Sequence, residues 1–309
     1  MVSLEIITGT SDFYLDRETA AAIGKFDGVH IGHRRLLEEI WNRKRDGLAA
    51  CVFTFDPAPA VLFGSSDGRE LTTGKEKRLF FERMGVDILI EFPLTFETAA
   101  MTPEIFVREV LAERMKVRFL AAGSDLSFGA KGAGNAALLQ SMGPSLGFRT
   151  EIIDKVCVDG REVSSTYVRE QVEAGNMELV EKLLGMPYSV AGSVVPGNRL
   201  GRTLGFPTVN LIPEKSKLLP PNGVYFSEVS LCGERYRAIS NVGYKPTVTD
   251  ERIMGVESYL YDFDREIYWE DVEVHLLGFR RPEKRFDSVE ALREQLREDI
   301  AAGAQYFGE

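Results

Sequence analysis

Cysteine and histidine are both scarce in this sequence, with three residues of each among 309. Cys51, Cys157 and Cys232 lie far apart, and no Cys-x-x-Cys or Cys/His metal-ligand spacing is present. A disulfide framework needs a denser set of cysteines, and a structural zinc site needs closely spaced pairs. The cysteine pattern therefore argues against a disulfide-stapled secreted domain and a zinc module, and it favours a reducing cytoplasm.

Basic residues are in the minority, with 37 Lys and Arg against 47 Asp and Glu and a formal net charge of -10. Nucleic acids and acidic membranes attract basic surfaces, so a broad footprint for either partner is not expected. Long apolar runs are also lacking: no stretch has the length of a bilayer span, and residues 1–16 show neither a basic n-region nor an apolar signal segment. We expect a protein without nucleic-acid or membrane partners, although a local basic pocket is compatible with this charge.

The first half of the chain alternates strand-like and helix-like segments. Residues 19–26 and 49–55 read as strands, and apolar residues at helical spacing separate them. The alternation continues with a helix at 75–84, a strand at 87–92, a helix at 103–115 capped by Thr102, and a strand at 117–122. This order predicts an α/β domain with a doubly wound parallel sheet, whose ligand crevice lies beyond the carboxyl ends of the strands.

The pattern changes at residues 185–187. Between 188 and 278, short strand-like runs are separated by glycine and proline turns, and helical periodicity returns at 288–301. The strand-like runs are 224–231, 237–242, 256–262 and 272–277. The second half therefore predicts a small antiparallel β-barrel with a C-terminal helix. Because the chain exceeds the usual size of one core, we expect two domains, residues 1–186 and 187–309.

The stretch GKFDGVHIGH, residues 24–33, places a glycine turn and two histidines between a strand and an amphipathic helix. A helix that begins near Ile31 would set its free N–H groups and the positive end of its dipole beside His30 and His33, which predicts a phosphate site. In nucleotidyl transfer, such imidazoles would stabilise charge on the α-phosphate as pyrophosphate leaves. A pair of capping or solvent-exposed histidines is the alternative interpretation.

The same stretch resembles the nucleotidyltransferase signature of the bacterial bifunctional riboflavin kinase/FAD synthetases. The resemblance continues in family order through FTFDPAP at 53–59, GSDLSFG at 123–129, SSTYVRE at 164–170, GRTLGFPTVN at 201–210, GVYF at 223–226, NVGYKPT at 241–247, VESYLYDFD at 256–264 and the segment 281–300. It implies that the barrel phosphorylates riboflavin to FMN with Mg²⁺ and ATP. It also implies that the first domain transfers AMP from a second ATP to FMN, giving FAD and pyrophosphate.

For the adenylyltransferase half, the resemblance implies two sets of contacts. ATP and phosphate contacts are expected at Gly24, Phe26, Asp27, Gly28, His30, His33, Ser164, Ser165, Thr166 and Arg169. Flavin or nucleotide contacts are expected at Asp125, Phe128 and Gly129. The hydroxyls of Ser-Ser-Thr, at a predicted helix start, would hold phosphate, and the guanidinium would neutralise the leaving pyrophosphate. Without the resemblance, Ser-Ser-Thr would be an ordinary helix cap.

For the kinase half, ATP and phosphate contacts are expected at Gly197, Gly201, Arg202, Gly205, Thr208 and Asn210. Thr208 and Asn210 alternate on an extended segment, so their side chains face the same way, and their oxygens are ligands that suit Mg²⁺. The glycines would let the loop approach phosphate closely. Glu257 matches the family's general base, which would accept the proton of the riboflavin 5′-hydroxyl.

Two departures from the family pattern motivate alternatives. Ala58 stands where these proteins commonly have histidine, and Gly132 stands where a basic residue is often found, although Lys131 is adjacent. One alternative is a riboflavin kinase whose first domain has lost adenylylation. The other is a first domain that only binds FMN or FAD as a sensor. The expected partners are small molecules (riboflavin, FMN, FAD and ATP), with a monomer or a weak homo-oligomer as the assembly state.

Overall fold

The structure, a computed structural model, describes residues 3–64, 67–197, 201, 204–246 and 252–308. Contacts between Cα atoms divide the chain into two compact units, Met1–Ser165 and Thr166–Glu309. The predicted domain boundary after residue 186 lies later in the chain than this division and stays a prediction. Among the helices of the described residues, none combines the length and apolar character needed to cross a membrane.

The first unit is built on a six-stranded sheet in which every neighbouring pair is parallel. Its strands are β1 (Glu5–Thr8), β2 (Thr19–Ile23), β3 (Ala49–Asp56), β4 (Ile88–Pro93), β5 (Val117–Gly123) and β6 (Arg149–Ile153). They lie in the order β1-β4-β3-β2-β5-β6. Strand β2 is therefore inside the sheet, with β3 and β4 added on one side of it and β5 and β6 on the other. A hairpin of β7 (Cys157–Val158) and β8 (Arg161–Glu162) follows. The predicted parallel sheet is confirmed.

Helices pack on both faces of this sheet. The helices of this unit are α1 (Ile31–Asn42), α2 (Pro59–Leu62), α3 (Gly74–Arg83), α4 (Phe96–Ala99), α5 (Pro103–Ile105) continued by a π-helix (Phe106–Arg114), and α6 (Ala136–Leu146). Alternate residues of β2 enter different cores: Ala20 and Ala22 pack with α1 and α3, whereas Ala21 and Ile23 pack with the π-helix and α6. A strand buried on both faces is typical of a doubly wound sheet.

The helix predicted at 103–115 begins where expected, because the Thr102 hydroxyl accepts the N–H of Ile105 and Pro103 occupies the first helical position. Most of it, however, is π-helical. The buried residues of this segment, at positions i, i+1, i+4 and i+5, lie on one face of an α-helix and also of a π-helix; they are Phe106, Val107, Val110 and Leu111. Sequence periodicity therefore predicted a helix here but could not predict its hydrogen-bond register.

The second unit contains α7 (Ser165–Ala174, which begins at the division), α8 (Met177–Leu184) and a closed antiparallel barrel. The barrel strands are β9 (Tyr188–Val195), β10 (Val209–Leu211), β11 (Gly223–Leu231), β12 (Glu234–Pro246), β13 (Arg252–Leu260) and β14 (Asp271–Pro282). They close in the order β10-β13-β12-β11-β14-β9. Tyr188, Tyr225 and Leu276 are fully buried core residues of this unit. The predicted barrel is confirmed.

The C-terminal helix, α9 (Val289–Tyr306), is tied to the barrel by an ion pair. Arg281 on β14 donates from Nε to Asp299 Oδ1 at 3.0 Å and from a terminal nitrogen to Oδ2 at 2.6 Å. The Asp299 side chain is only 2% exposed. The Tyr261 hydroxyl also donates to the carbonyl of Ile300 at 2.6 Å. Because a buried carboxylate needs its partner, this pair fixes where the helix crosses the barrel.

Candidate active sites

The turn between β2 and α1 brings His30 and His33 together. His30 is the N-cap of α1, and its Nδ1 accepts the backbone N–H of His33 at 3.3 Å. The two imidazole rings stack with their centroids 3.8 Å apart. Because Nδ1 of His30 is an acceptor, the neutral ring carries its proton on Nε2 and presents that nitrogen as a donor.

Gly32 has a packing reason that the sequence alone did not reveal. A Cβ atom at this position would lie 3.1 Å from the ring of His30, so the absence of a side chain lets the imidazole fold over the helix start. The preceding turn is strained: Phe26 and Val29, both buried, have φ values of 49° and 40°. A β-branched residue at positive φ is rare and persists only where surrounding structure holds it.

Asp27 helps to stabilise this turn. Its Oδ1 accepts the N–H groups of Leu71 at 2.8 Å and Thr72 at 3.3 Å, and its backbone carbonyl accepts the Ser165 hydroxyl at 2.8 Å. The N–H of Gly28 donates to the Thr72 hydroxyl at 3.1 Å. Asp27 and Ser165 therefore shape the turn that carries the histidines. Their predicted direct contacts with phosphate, and that of Gly24, stay predictions.

Three other predicted phosphate ligands lie next to Ser165 in the sequence. Ser164 directly precedes α7, whereas Thr166 and Arg169 are within it. The helix start predicted at Ser-Ser-Thr is thus where the structure has it. The contacts of these three side chains with phosphate stay predictions.

Burial keeps both imidazoles neutral. It lowers the pKa of His30 from 6.5 to about 4, and the negative charge of Asp125 opposes this shift in part. The pKa of His33 is lowered well below its usual value, first by burial and then by His30. The Nδ1 atom of His33 is also buried without a hydrogen-bond partner in the part of the chain that the structure describes. Unsatisfied buried polar atoms are uncommon, and they often mark functional positions.

These shifts predict an unusual titration. In the ligand-free protein we expect the His30 imidazole to titrate near pH 4 and His33 below its ordinary range, because burial disfavours the imidazolium. NMR of the imidazole resonances from pH 8 down to about pH 3 measures this directly, since His275 is the only other histidine. The variants His30→Asn and His33→Asn assign the signals. Midpoints near pH 6.5 for both rings would contradict the prediction.

The same shifts have a consequence for stability. Because the folded-state pKa is lowered, the unfolded chain takes up protons first as the pH falls below about 6.5. The free energy of unfolding therefore decreases as the pH falls from about 6.5 toward 4, by at most about 1.4 kcal/mol per pH unit for each histidine.

The three residues predicted to contact the flavin or nucleotide lie in different environments. The Asp125 side chain is 71% exposed, lies 3.5 Å from Lys155 Nζ, and acts on His30 through its charge. The ring of Phe128 is instead buried and packs on Phe106 at 5.4 Å, and Gly129 has a φ of 69° that favours glycine. Phe128 and Gly129 thus shape the loop that carries Asp125, and their contact with a ligand stays a prediction.

An exposed aromatic pair was missed by the sequence analysis. Phe63 and Phe96 are 60% and 75% exposed, with ring centroids 6.5 Å apart. They follow β3 and β4, whose carboxyl ends lie on the same edge of the sheet as the His30 turn after β2. A phenylalanine in or beside a short helix is common in sequences, so only the exposure and proximity of Phe63 and Phe96 identify them.

In the barrel, the register between strands assembles the predicted kinase residues. Asn210 on β10 lies directly opposite Glu257 on β13, and Glu257 lies directly opposite Asn241 on β12. Residues directly opposite each other point to the same face of a sheet. The Thr208 hydroxyl donates to Glu257 Oε1 at 2.5 Å. A hydroxyl, a carboxylate and two amides thus form one polar row.

The predicted glycine loop approaches this row closely. A Cβ at Gly197 would lie 2.5 Å from the Asn210 amide nitrogen, and one at Gly201 would lie 3.2 Å from Thr208 Oγ1. Gly205 has a φ of 90°. The predicted phosphate ligand Arg202 lies outside the described residues. Among the residues that are described, no group of three His, Cys, Asp or Glu is arranged to hold a metal ion.

Two cavities meet at Thr208. The larger, of about 580 Å³, is lined by Glu257 and Thr208 together with apolar side chains and the charged residues that follow β14. The smaller, of about 270 Å³, is lined by Thr208, Gly197 and residues between Leu260 and Tyr268. The larger volume lies within the range of small-molecule sites. Thr208 therefore lines both spaces, of which the larger also contains Glu257 and Gly201 and the smaller contains Gly197.

Comparison with known proteins accounts for both units. A family model described as FAD synthetase matches residues 13–167, and one described as riboflavin kinase matches residues 184–307. A relative from Listeria monocytogenes, named bifunctional riboflavin kinase/FMN adenylyltransferase, is 34% identical over 301 residues, covering 96% of this chain and 95% of the relative. The chain belongs to the bifunctional riboflavin kinase/FMN adenylyltransferase family. The resemblance indicated by the motifs is confirmed.

Other comparisons agree over nearly the full length. Family members from Escherichia coli K12 and Bacillus subtilis are 37% and 31% identical, covering 93% and 94% of this chain and 92% and 93% of theirs. A structure described as a macrolide-efflux protein from Streptococcus pneumoniae has a TM-score of 0.84 and 28% identity, covering 98% of this chain and 99% of that one. The order of elements along this chain therefore recurs in a solved structure.

Proposed function

We propose that this chain carries out both reactions of its family, phosphorylating riboflavin to FMN in the barrel and adenylylating FMN to FAD in the first unit. The observation that carries the proposal is the contact of Thr208 with Glu257 at the junction of two cavities. A transfer reaction needs a donor and an acceptor on either side of the catalytic groups. The stacked histidine pair at the start of α1 supports the second reaction.

Riboflavin occupies the larger cavity in this proposal, because that cavity contains the base. Glu257 accepts the proton of the 5′-hydroxyl as its oxygen bonds to the γ-phosphorus of ATP and the bond to ADP breaks. The glycine loop and the smaller cavity hold the nucleotide. Thr208 can donate its hydrogen to Glu257 and still offer an oxygen lone pair to a cation.

Mg²⁺ fits the oxygens of Thr208 and Asn210. Both are hard neutral ligands, and Gly197 and Gly201, which approach them closely, place no side chain of their own between them and a phosphate. A bound Mg²⁺ would supply charge neutralisation of the ATP phosphates. Among the described residues no group of three His, Cys, Asp or Glu is arranged to hold a metal ion, so the ATP phosphates would supply further ligands.

In the first unit, the proposed reaction depends on hydrogen-bond donors, and the histidines neither take up nor release a proton. An FMN phosphate oxygen attacks the α-phosphorus of ATP, and the bond to pyrophosphate breaks. The Nε2–H of neutral His30 and the free N–H groups of α1 donate to the phosphate oxygens, where charge gathers. The exposed rings of Phe63 and Phe96 are suited to pack against the flavin ring. Contacts of Ser164, Thr166 and Arg169 with the phosphates remain part of this proposal.

We propose the functional boundary between residues 186 and 187, which is supported by the start of the riboflavin kinase match at residue 184. A cytoplasmic protein is supported by Cys51, Cys157 and Cys232 being free thiols. We also propose a monomer or a weak homo-oligomer.

One assay tests the two activities together. The purified chain is incubated with riboflavin, ATP and Mg²⁺, and the flavins are separated over time; we expect FMN to form first and FAD with pyrophosphate to follow. Adding EDTA in excess should stop FMN formation, and adding back Mg²⁺ should restore it. FMN without FAD would support the kinase-only alternative that Ala58 and Gly132 motivated. Binding of FMN without either product would support the sensor.

A further inference from the structure

Glu283, just after β14, carries a carboxylate that is held in place by amides. Its Oε1 accepts from the Asn241 side-chain amide at 3.1 Å and its Oε2 from the Asn222 amide at 3.2 Å. A Cβ at Gly243 would lie 2.0 Å from Oε1, so any side chain there would displace the carboxylate. Two amide donors and a glycine that leaves space for the carboxylate therefore define the position of Glu283.

This carboxylate belongs to the wall of the larger cavity, together with Glu257 and Thr208. Asn241, which holds it, is the direct neighbour of Glu257 across β12 and β13. Adjacent strands lie about 4.8 Å apart, so Glu283 lies one strand and one amide away from the base. A ligand that places a hydroxyl at Glu257 would extend past Glu283.

In the part of the chain that the structure describes, none of the cations of this cavity wall forms an ion pair with Glu283. Arg281 is paired with Asp299, and Lys284 Nζ donates to Gln295 Oε1 at 2.8 Å. Arg285 also lines the cavity. Among the described residues, Glu283 forms hydrogen bonds with two neutral amides and no ion pair. Because an amide donor leaves the charge of a carboxylate in place, Glu283 keeps its own negative charge one strand away from the base.

We propose that Glu283 is a specificity residue of the kinase half, which favours the neutral substrate over its phosphorylated product. A carboxylate has lone pairs beyond those used by Asn241 and Asn222, and these accept hydrogen bonds from the hydroxyls of a neutral polyol chain. The same charge disfavours binding of the product, because the phosphate of the product is attached to the polyol chain that contacts Glu283. Selective release of FMN would supply the second reaction with its substrate. The inference rests on the proposed placement of riboflavin in the larger cavity.

The test compares the inhibition constant of FMN with the KM of riboflavin, measured by ADP formation. A His30→Ala, His33→Ala background prevents consumption of FMN by adenylylation. We expect Glu283→Gln to lower the ratio of FMN inhibition constant to riboflavin KM by about tenfold, because the substitution removes the charge but keeps the shape. Glu290→Gln, an exposed change of the same charge on α9, is the matched control and should leave the ratio unchanged.

A second substitution provides rescue. Adding Asn222→Asp to Glu283→Gln returns one negative charge to the same hydrogen-bonded group, since the new glutamine amide can donate to the new carboxylate. We expect this double substitution to restore most of the ratio. A parallel rise of both constants in Glu283→Gln, with no change in the ratio, would mean a purely structural role and would overturn the proposal.

A cavity-filling variant separates this inference from the assignment of the cavity. Leu296→Trp, or the milder Leu292→Phe if the first fails to fold, should raise the KM of riboflavin more than about tenfold by filling the larger cavity. If the filled cavity raises KM but Glu283→Gln leaves the ratio unchanged, the role of Glu283 is wrong and the cavity assignment stands. If neither filling variant raises KM, the cavity assignment is wrong and the inference fails with it.

Discussion

Glu257→Gln is expected to lower the rate of riboflavin phosphorylation by about 10²–10⁴-fold, the range that positioned general bases contribute. The amide keeps the size of the side chain and can still accept the Thr208 hydrogen bond, but it cannot take the proton of the 5′-hydroxyl. We expect the KM of riboflavin to change little, because the interaction strengthens only as the proton moves. Initial rates of FMN formation at saturating ATP and Mg²⁺ provide the measurement.

The second activity of the same protein serves as the folding control. FAD formation from added FMN depends on the histidine turn, so it should persist in the Glu257→Gln protein. Thr208→Ser, which retains a hydroxyl beside the base, should keep most of the phosphorylation activity. Riboflavin phosphorylation within tenfold of the unmodified protein would show that Glu257 is not the base.

The double variant His30→Ala with His33→Ala is expected to lose FAD formation from FMN by at least about 10²-fold, while riboflavin phosphorylation survives. Removing a single preorganised donor to developing charge costs about 10²–10³-fold in comparable sites. Both rings are neutral here, so the loss reflects missing hydrogen-bond donors and not a missing cation. Pyrophosphate release from ATP and FMN measures the effect.

The helix cap must be separated from the chemistry. His30 caps α1 through Nδ1, so its removal also costs about 1 kcal/mol of stability, typical of a lost N-cap. His30→Asn restores a strong cap but changes the donor that faces the ligand. We therefore expect His30→Asn to fold like the unmodified protein and still lose FAD formation. Loss of both activities in the double variant would contradict the independence of the two reactions.

The sequence by itself determined the local features of this protein. The apolar spacing of Leu36, Leu37 and Ile40 predicted α1, and the glycine turn predicted its start at Ile31. Alternating segments predicted the parallel sheet, and short runs between glycine turns predicted the barrel. The individual helices, strands and turns depend on residues close together in the chain, so spacing and turn chemistry suffice to predict them. The motifs, read in order, also indicated the family.

Tertiary structure alone decided how distant residues combine. The pairing of Asn210, Glu257 and Asn241 depends on strand register. A slip of one residue would turn the side chains of the shifted strand to the other face of the sheet. The lowered pKa of His30 depends on burial by elements remote in sequence, and the hydrogen bonds of Asp27 reach Leu71 and Thr72. In the sequence Glu283 is one of many charged residues, and only the structure shows that the amides of Asn222 and Asn241 donate hydrogen bonds to it. Spacing along a chain carries no information about such contacts, because they exist only once the sheet and barrel have closed.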